Sequence, residues 1–541
     1  MGGLYDRPHP RFRVHRFYVL AGVRSRALFA SLSVRLCVSF CQTGQLNGTG
    51  TPMITFTIIF AYLIVTFAIG YALKRRSGKD TTARKFFVAD GTMPLFAVST
   101  LLFGDLIAAS TTTGTAGVGY STGITALWGI WGSSLGCLLF SVLFCKFFFK
   151  IRKTGAYTGP EAFGIRFNEK IRYLVLIFTL IPLIIIFSTQ ITAGSMYLSS
   201  ICGISEKITK LLVCAVFLAM SLLGITGMAE MNKLHSFVIF FGLTFAAIVC
   251  VQHVGGVKVL VETLPSSYFD LFPKGVPTAV AQCVGGALGF SLSVTSVNVG
   301  YVAKDIGVAK RSHVIVAIIS ALFAFAPTSI GLCAAVSMTG IRPDLALFEM
   351  TNSVSPYLSG LAVMAVFAAI FSTGPYFLIE ISKLVVKELL IPIGDKRNVK
   401  MSERTTLNVS RAVIVAALVI AAAISGTNVS LLNSLMSASQ IKAIAVVLLI
   451  FGLYWKRTSN NAGFIGLLSG GTIATIWYFA GNPLGVQPLW PGLILSVAII
   501  VVGSLIECAG SKVSQDYLAY EKRFEQMSKH FSMQQAPNEI N

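Results

Sequence analysis

The feature that most constrains this chain is a pair of apolar segments that break in the middle. Residues 93–118 begin apolar and then read Gly104-Asp105-Leu106-Ile107-Ala108-Ala109-Ser110-Thr111-Thr112-Thr113-Gly114-Thr115. Residues 278–300 carry Gly285, Gly286 and Gly289 ahead of Ser291-Leu292-Ser293-Val294-Thr295-Ser296-Val297-Asn298. Each is long enough to cross a bilayer, which takes about 20 apolar residues. Backbone that unwinds inside lipid needs partners for its freed N–H and C=O groups, and hydroxyl side chains and cavity water can supply them. The breaks lie five spans apart, at corresponding places in two halves of the chain. That spacing predicts two inverted repeats with a ligand site at mid-membrane, the plan of a secondary transporter.

The rest of the sequence fits a membrane bundle. Only 12% of residues are charged, against about a quarter in soluble proteins, and mean hydropathy is +0.75. The apolar runs predict 13 spans, at 54–73, 93–118, 124–149, 173–200, 211–228, 236–254, 278–300, 313–338, 356–386, 412–426, 430–455, 461–480 and 489–508. The net charge of +21 is concentrated in alternate loops, such as Lys74–Lys85, Lys150–Arg172, Lys304–Arg311, Lys387–Arg411 and Lys456-Arg457. The positive-inside rule then puts the start of the first span outside and the C-terminal tail in the cytoplasm of a plasma-membrane protein. Charge spread over short loops argues against nucleic-acid binding, which needs a basic face on one folded domain. The ten cysteines show no metal spacing and read as small apolar packers. No set of residues suggests an enzyme.

Three regions follow. Residues 1–52 hold seven Arg and no Lys, unlike the remainder. Their apolar stretch Ala27–Cys41 is interrupted by Arg35 and too short to span, so they read as an atypical basic extension: a poor signal peptide, a basic amphipathic arm, or an untranslated or disordered stretch with Met53 the expected start of the working protein. Residues 53–509 form the transmembrane domain. Residues 510–541 read as a short solvated cytoplasmic tail, partly helical over Asp516–His530.

Several motifs resemble the sodium/solute symporter family. Thr158-Gly159-Pro160-Glu161-Ala162-Phe163-Gly164-Ile165-Arg166-Phe167 is similar to its T-x-P-E-F-x-x-x-R-F segment, with the aromatic displaced by one place. Physically this is a Pro-initiated helix with Glu161 in the favourable first turn. Phe86-Phe87-Val88-Ala89-Asp90-Gly91 and Ala303-Lys304-Asp305 resemble the stretches that flank the two broken helices. The resemblance covers about 54–505. It implies an all-α membrane protein of about 13 helices, with a LeuT-like core of five plus five helices in inverted repeat whose first and sixth members are broken.

The resemblance also implies a sodium site. Ala368-Ala369-Ile370-Phe371-Ser372-Thr373 is similar to the family's A-A-x-x-S-S/T segment on the eighth core helix. It gives the Ser372 and Thr373 hydroxyls and the Ala369 carbonyl as ligands, joined by the carbonyls of Gly104 and Ile107. Five neutral oxygens suit a hard monovalent cation. The bland alternative is that these hydroxyls only satisfy backbone and let helices pack. Sodium is the only metal expected, and no cofactor is implied.

Asp105, an ionisable group inside the break, is a candidate for coupling. Glu380 and Lys383 are one turn apart and positioned to pair, either as an inner gate or as a solvated helix end. Ser110, Thr111, Thr112, Ser293, Ser296 and Asn298, with Thr113 and Thr295 beside them, are the candidate substrate contacts. His235 stands where some family members carry an acidic residue of a second sodium site, which puts that site in doubt; a loop position for His235 is the commoner case. The family's sugar transporters place a Gln and a Glu where Thr111 and Ile130 stand here, so a small carboxylate or amino-acid-like solute fits better than a sugar. The expected function is sodium-coupled solute import by alternating access. Proton coupling in the same fold, and a sodium-conducting channel, remain alternatives.

Overall fold

The computed structural model describes residues 51–76, 83–273, 275–398, 401–426 and 430–535. The proposed extension, up to residue 50, lies outside the described residues. The first helix, Thr51–Arg76, already includes the two residues before Met53.

Among the described residues the regular structure is helix, with one isolated bridge and no strand. Among the described residues ten helices are long and apolar enough to cross a membrane, and Ile54–Gly70, within the first helix, and Leu95–Leu106 are shorter apolar stretches. The predicted spans fall largely on helical stretches, and the fifth, 211–228, departs most, because its helix Glu206–Ser221 ends early. The stretch Glu230–His235, expected as a loop, belongs to the helix Gly224–His253. The chain turns earlier, at Leu222-Leu223, because Gly224 takes φ +69 and packs its α-carbon against Phe86, a backbone conformation glycine adopts without penalty. The charges of that stretch are met on the helix itself, where Lys233 pairs with Glu230 at 2.6 Å. His235 is therefore buried, and its Nδ1 is hydrogen-bonded to the Tyr62 hydroxyl of the first helix. It is not a loop histidine.

Both broken helices are seen. Leu95–Leu106 ends at Ile107 and resumes as Ala109–Thr122; Val276–Ser291 ends at Leu292 and resumes as Val294–Val302. Their ends on one face of the bundle are tied together. Met93 N–H donates to the Val302 carbonyl (2.9 Å), Lys304 N–H donates to the Met93 carbonyl (3.0 Å), and the Arg152 guanidinium donates to the carbonyls of Ala303 and Gly91. The two motifs that flank the breaks in sequence thus meet in space. Asp305 also caps the next helix through Val308 N–H at 2.8 Å, a contact worth about 1 kcal/mol.

The Thr158–Phe167 motif forms the short helix Gly159–Arg166, with Thr158 as its N-cap and Pro160 at its start. Glu161 pairs with Lys387 at 3.3 Å, and Arg172 pairs with the buried Glu388 at 2.6 Å. This helix and the start of the next, Glu169–Cys202, therefore hold the turn just beyond the long helix Pro356–Val385, which carries the proposed sodium ligands.

The C-terminal segment is helical and exposed along most of its length, yet it is not free of the bundle. The helix Gln515–Gln535 docks on the same face. Arg523 Nη2 donates to the Phe167 carbonyl (2.7 Å), Asp516 accepts from Asn460 N–H (2.8 Å), and Lys150 sits 4.2 Å from the centre of the Phe524 ring. The fully buried Arg166 guanidinium lies over Phe167, Tyr517 and Tyr520 at 4.6, 5.1 and 5.3 Å. Aromatic residues on one side of this otherwise polar helix explain why it packs.

Candidate ion and solute site

The first break is built by hydroxyls. In an unbroken helix the Gly104 carbonyl would accept from Ala108 N–H. That N–H goes instead to Thr111 Oγ1 at 2.8 Å, and the next one, Ala109 N–H, goes to Gln190 Oε1 at 3.1 Å. Thr111 Oγ1 in turn donates to the Leu106 carbonyl at 2.8 Å, while Thr112 and Thr113 donate to the carbonyls of Ala108 and Ala109 at 2.9 Å each. Ser110 Oγ meets Thr189 Oγ1 at 3.0 Å. The run of hydroxyls thus holds the unwound turn together.

The Gly104 carbonyl, freed from its helix, turns to the long helix. Thr373 Oγ1 donates to it at 2.6 Å and Ser372 Oγ lies 3.2 Å away. The same two hydroxyls lie 3.0 and 2.9 Å from the Ala369 carbonyl, and 3.3 Å from each other. Four of the five predicted oxygens therefore converge in one buried cluster. The fifth, the Ile107 carbonyl, makes no hydrogen bond among the described residues, and Ile107 is fully buried. Asn232, which sequence reasoning missed, donates to the Ser372 carbonyl at 3.4 Å and leaves its Oδ1 buried without a partner. A Cβ on Gly104 would lie 2.8 Å from Asn232 Nδ2, so glycine is what lets these helices approach.

The Asp105 side chain lies beside Ser293 and Thr295 of the second break. Its Oδ2 and Thr295 Oγ1 are buried without hydrogen-bond partners. At the second break, Ser293 caps the following half-helix by accepting from Ser296 N–H at 3.0 Å, and Ser296 Oγ donates to the Phe290 carbonyl at 3.2 Å.

Glu380 and Lys383 do pair, at 2.7 Å, but they are not a solvated helix end: the two side chains are 1% and 2% exposed. Asn298 joins them. Its Nδ2 donates to Glu380 Oε1 and, at 2.7 Å, to the Tyr376 hydroxyl, and its Oδ1 accepts from Lys383. The reason is packing, since the Pro356–Val385 helix is buried on all sides along this stretch. The network links the second half of the second broken helix to the long helix.

Two cavities flank the breaks. One, of about 250 Å³, is lined by Gly117, Ser121, Thr125, Gln282, Asn433 and Met436. The other, of about 40 Å³, is lined by Pro160, Phe178, Asn298, Glu380, Lys383 and Lys442 among others. Lys442 is nine-tenths buried and was missed by sequence reasoning.

Against known proteins, residues 86–470 match the sodium:solute symporter family. The chain belongs to that family. The sodium/pantothenate symporter of Escherichia coli (strain K12) is 25% identical over 479 residues, covering 82% of this chain and 95% of that protein. The sodium/glucose cotransporter of Vibrio parahaemolyticus is 23% identical over 469 residues, covering 78% and 84%. A solved structure described as the substrate-bound outward-open state of a Na⁺-coupled sialic acid symporter shares the fold. Its TM-score is 0.70 at 18% identity, covering 84% of this chain and 96% of that one. This symporter is thus a multi-pass membrane transporter with a LeuT-like fold, and not an enzyme.

Proposed function

We propose that this symporter imports a small carboxylate-bearing or amino-acid-like solute together with sodium, and that sodium binds at the Gly104, Ile107, Ala369, Ser372 and Thr373 oxygens. The convergence of four of those oxygens between the first break and the long helix carries the reading. In the structure the two hydroxyls donate into carbonyls. Rotating their protons outward would turn the cluster into a cage of acceptors for a cation of sodium's hardness. Occupancy would hold the broken helix against the long helix, so sodium would favour one orientation of the bundle, and differential affinity for the two orientations couples ion to solute.

Ser110, Thr111, Thr112, Ser293, Ser296 and Asn298 shape the two breaks that would enclose the solute. By the charge rule the first helix starts outside and the C-terminal helix is cytoplasmic. The larger cavity then opens outward, and the Asn298–Glu380–Lys383 network closes the inward route. Asp105, next to the Gly104 ligand, links the sodium site to the second break.

Uptake into proteoliposomes tests this reading. An inward sodium gradient should drive saturable accumulation that excess pyruvate, acetate or proline inhibits and glucose or galactose does not. Sodium current without saturable uptake, drive by a proton gradient alone, or competition by sugars only would overturn it.

A further inference from the structure

Lys442 sits eleven residues after Leu431, the first residue of the 24-residue helix Leu431–Tyr454. At 1.5 Å per residue that is about 17 Å along the helix, close to mid-bilayer. Its place beside the second break is fixed by a close backbone crossing. A Cβ on Gly289 would lie 2.2 Å from the Ser439 carbonyl, so the two helices touch one turn before Lys442. Leu292, the residue at the break, and Lys442 line the same small cavity.

Among the described residues two lysines are buried, and only Lys383 has a protein partner. Lys383 has Glu380 and Asn298. Lys442 has no hydrogen bond and no carboxylate within ion-pair distance among the described residues. Asp105, at the first break, has a buried Oδ2 without a hydrogen-bond partner of its own. Lys442 Nζ is not among the buried atoms left without a partner, so the ammonium meets the cavity rather than the packed core, and a charge kept inside a membrane span marks a ligand or ion pathway.

We infer that Lys442 is the anchor for the carboxylate of a solute anion, and that Asp105 ties this anchor to the sodium site. The inference rests on the sodium-symport reading and narrows its substrate class. An anion is favoured over a zwitterion because Asp105, the acid with a free oxygen, does not line this cavity and so is not placed to take a ligand ammonium. The carboxylate that lines the cavity is Glu380, and both of its oxygens are already engaged, by Asn298 and Lys383. At about 40 Å³ the cavity holds water rather than an organic anion. The solute therefore reaches Lys442 when the helices part during the transport cycle.

Asp105 supplies the coupling. Its backbone lies between Leu106 and the Gly104 carbonyl of the sodium cluster, and its side chain faces the second break. With the ion site empty, the field of Asp105 acts on Lys442. A sodium ion at the Gly104 carbonyl offsets that field and leaves the ammonium to the solute carboxylate. Sodium then raises affinity for the anion, and by reciprocity the anion raises affinity for sodium.

The experiment uses the full chain, purified and assayed by thermal shift with and without sodium. The probes are acetate, propionate, lactate, pyruvate and benzoate, the neutral amide of each, and the zwitterions alanine and proline. The expected result is that sodium alone stabilises the wild type, and that at least one acid adds stabilisation only with sodium present, while its amide adds none. Lys442→Met should weaken that acid about 10- to 100-fold, the loss of a charge-assisted hydrogen bond, and should keep the shift from sodium alone. Lys442→Arg should fold and retain part of the acid's effect. If sodium does not stabilise the wild type, the symport reading itself fails. If sodium does, but amides or zwitterions match the acids, no acid acts, or both Lys442 variants keep wild-type acid affinity, the anchor is refuted and Lys442 serves only as a water-bridged partner of Asp105.

Discussion

Replacing Lys383 by methionine would leave the Glu380 carboxylate, 1% exposed, without the ammonium 2.7 Å away. It would also leave Asn298 Oδ1 without its donor. Breaking one side of a buried ion pair costs about 3–5 kcal/mol, mostly because the surviving charge stays buried. The double variant Lys383→Met with Glu380→Gln removes both charges, and the Gln side chain keeps an acceptor for Asn298. It should lie within about 1 kcal/mol of the wild type, since replacing a buried pair by neutral groups is often close to neutral. Glu380→Gln alone should fall between, because Lys383 keeps Asn298 as an acceptor. Unfolding by sodium dodecyl sulfate in mixed micelles gives the four free energies of the cycle, and a coupling of about 2–4 kcal/mol is expected. A Lys383→Met variant within about 0.5 kcal/mol of the wild type, the range of an ordinary surface substitution, would refute the view that the network is a closed, dry pair.

Other consequences are open to simpler checks. Gly104→Ala places a methyl 2.8 Å from Asn232 Nδ2 and 3.2 Å from the Ser372 Cβ, so it should push the break away from the long helix and raise the sodium concentration for half-maximal uptake by at least about tenfold; an unchanged sodium requirement would contradict this. Asp344, in the turn before Ala346–Val354, has its carboxyl pushed up to about 6, chiefly by burial. An acid whose folded pKa is raised contributes stability below its unfolded pKa and loses it as pH rises through 6. Thermal stability should therefore fall between about pH 4 and pH 6 in the wild type and level off above, and fall less in Asp344→Asn; equal slopes would contradict it. The docked C-terminal helix should protect Arg523, whose guanidinium bonds the Phe167 carbonyl, from trypsin. Tyr517→Ala with Tyr520→Ala, which strips the stack from Arg166, should speed cleavage there, and immediate cleavage in the wild type would show that the helix does not stay docked.

Periodicity and hydropathy carried most of the fold, because each helix must present about 20 apolar residues to lipid. The breaks were legible for the same reason. Gly104 and Ser110–Thr113 are small or hydroxyl-bearing where lipid-facing residues are otherwise expected, and the structure shows those hydroxyls holding the unwound turn. The partners that complete the site were harder to read. Asn232 lies in a polar stretch that looks like a loop until Gly224 is seen to make the turn eight residues earlier. Glu380 and Lys383 lie near a helix end, and burial there is decided by which neighbours cover them, which spacing along one helix does not reveal. Lys442 did leave a signal: it is the single charge in the apolar run Leu431–Tyr454, and such a charge at membrane depth marks function. The docking of Gln515–Gln535 depends on Arg166 and Phe167, far away in sequence, so the amphipathic pattern alone suggested only a helix.

The sodium dependence of uptake in Ser372→Ala, Thr373→Ala and the double variant tests the central claim most directly. Each hydroxyl lies within 3.2 Å of the Gly104 carbonyl and within 3.0 Å of the Ala369 carbonyl. A contact to a charged group is worth about 1.5–3 kcal/mol, so each single variant should raise the half-saturating sodium concentration about 10- to 100-fold. The double variant should lose sodium stimulation while still inserting and folding. Wild-type sodium dependence in a well-folded double variant would contradict the site.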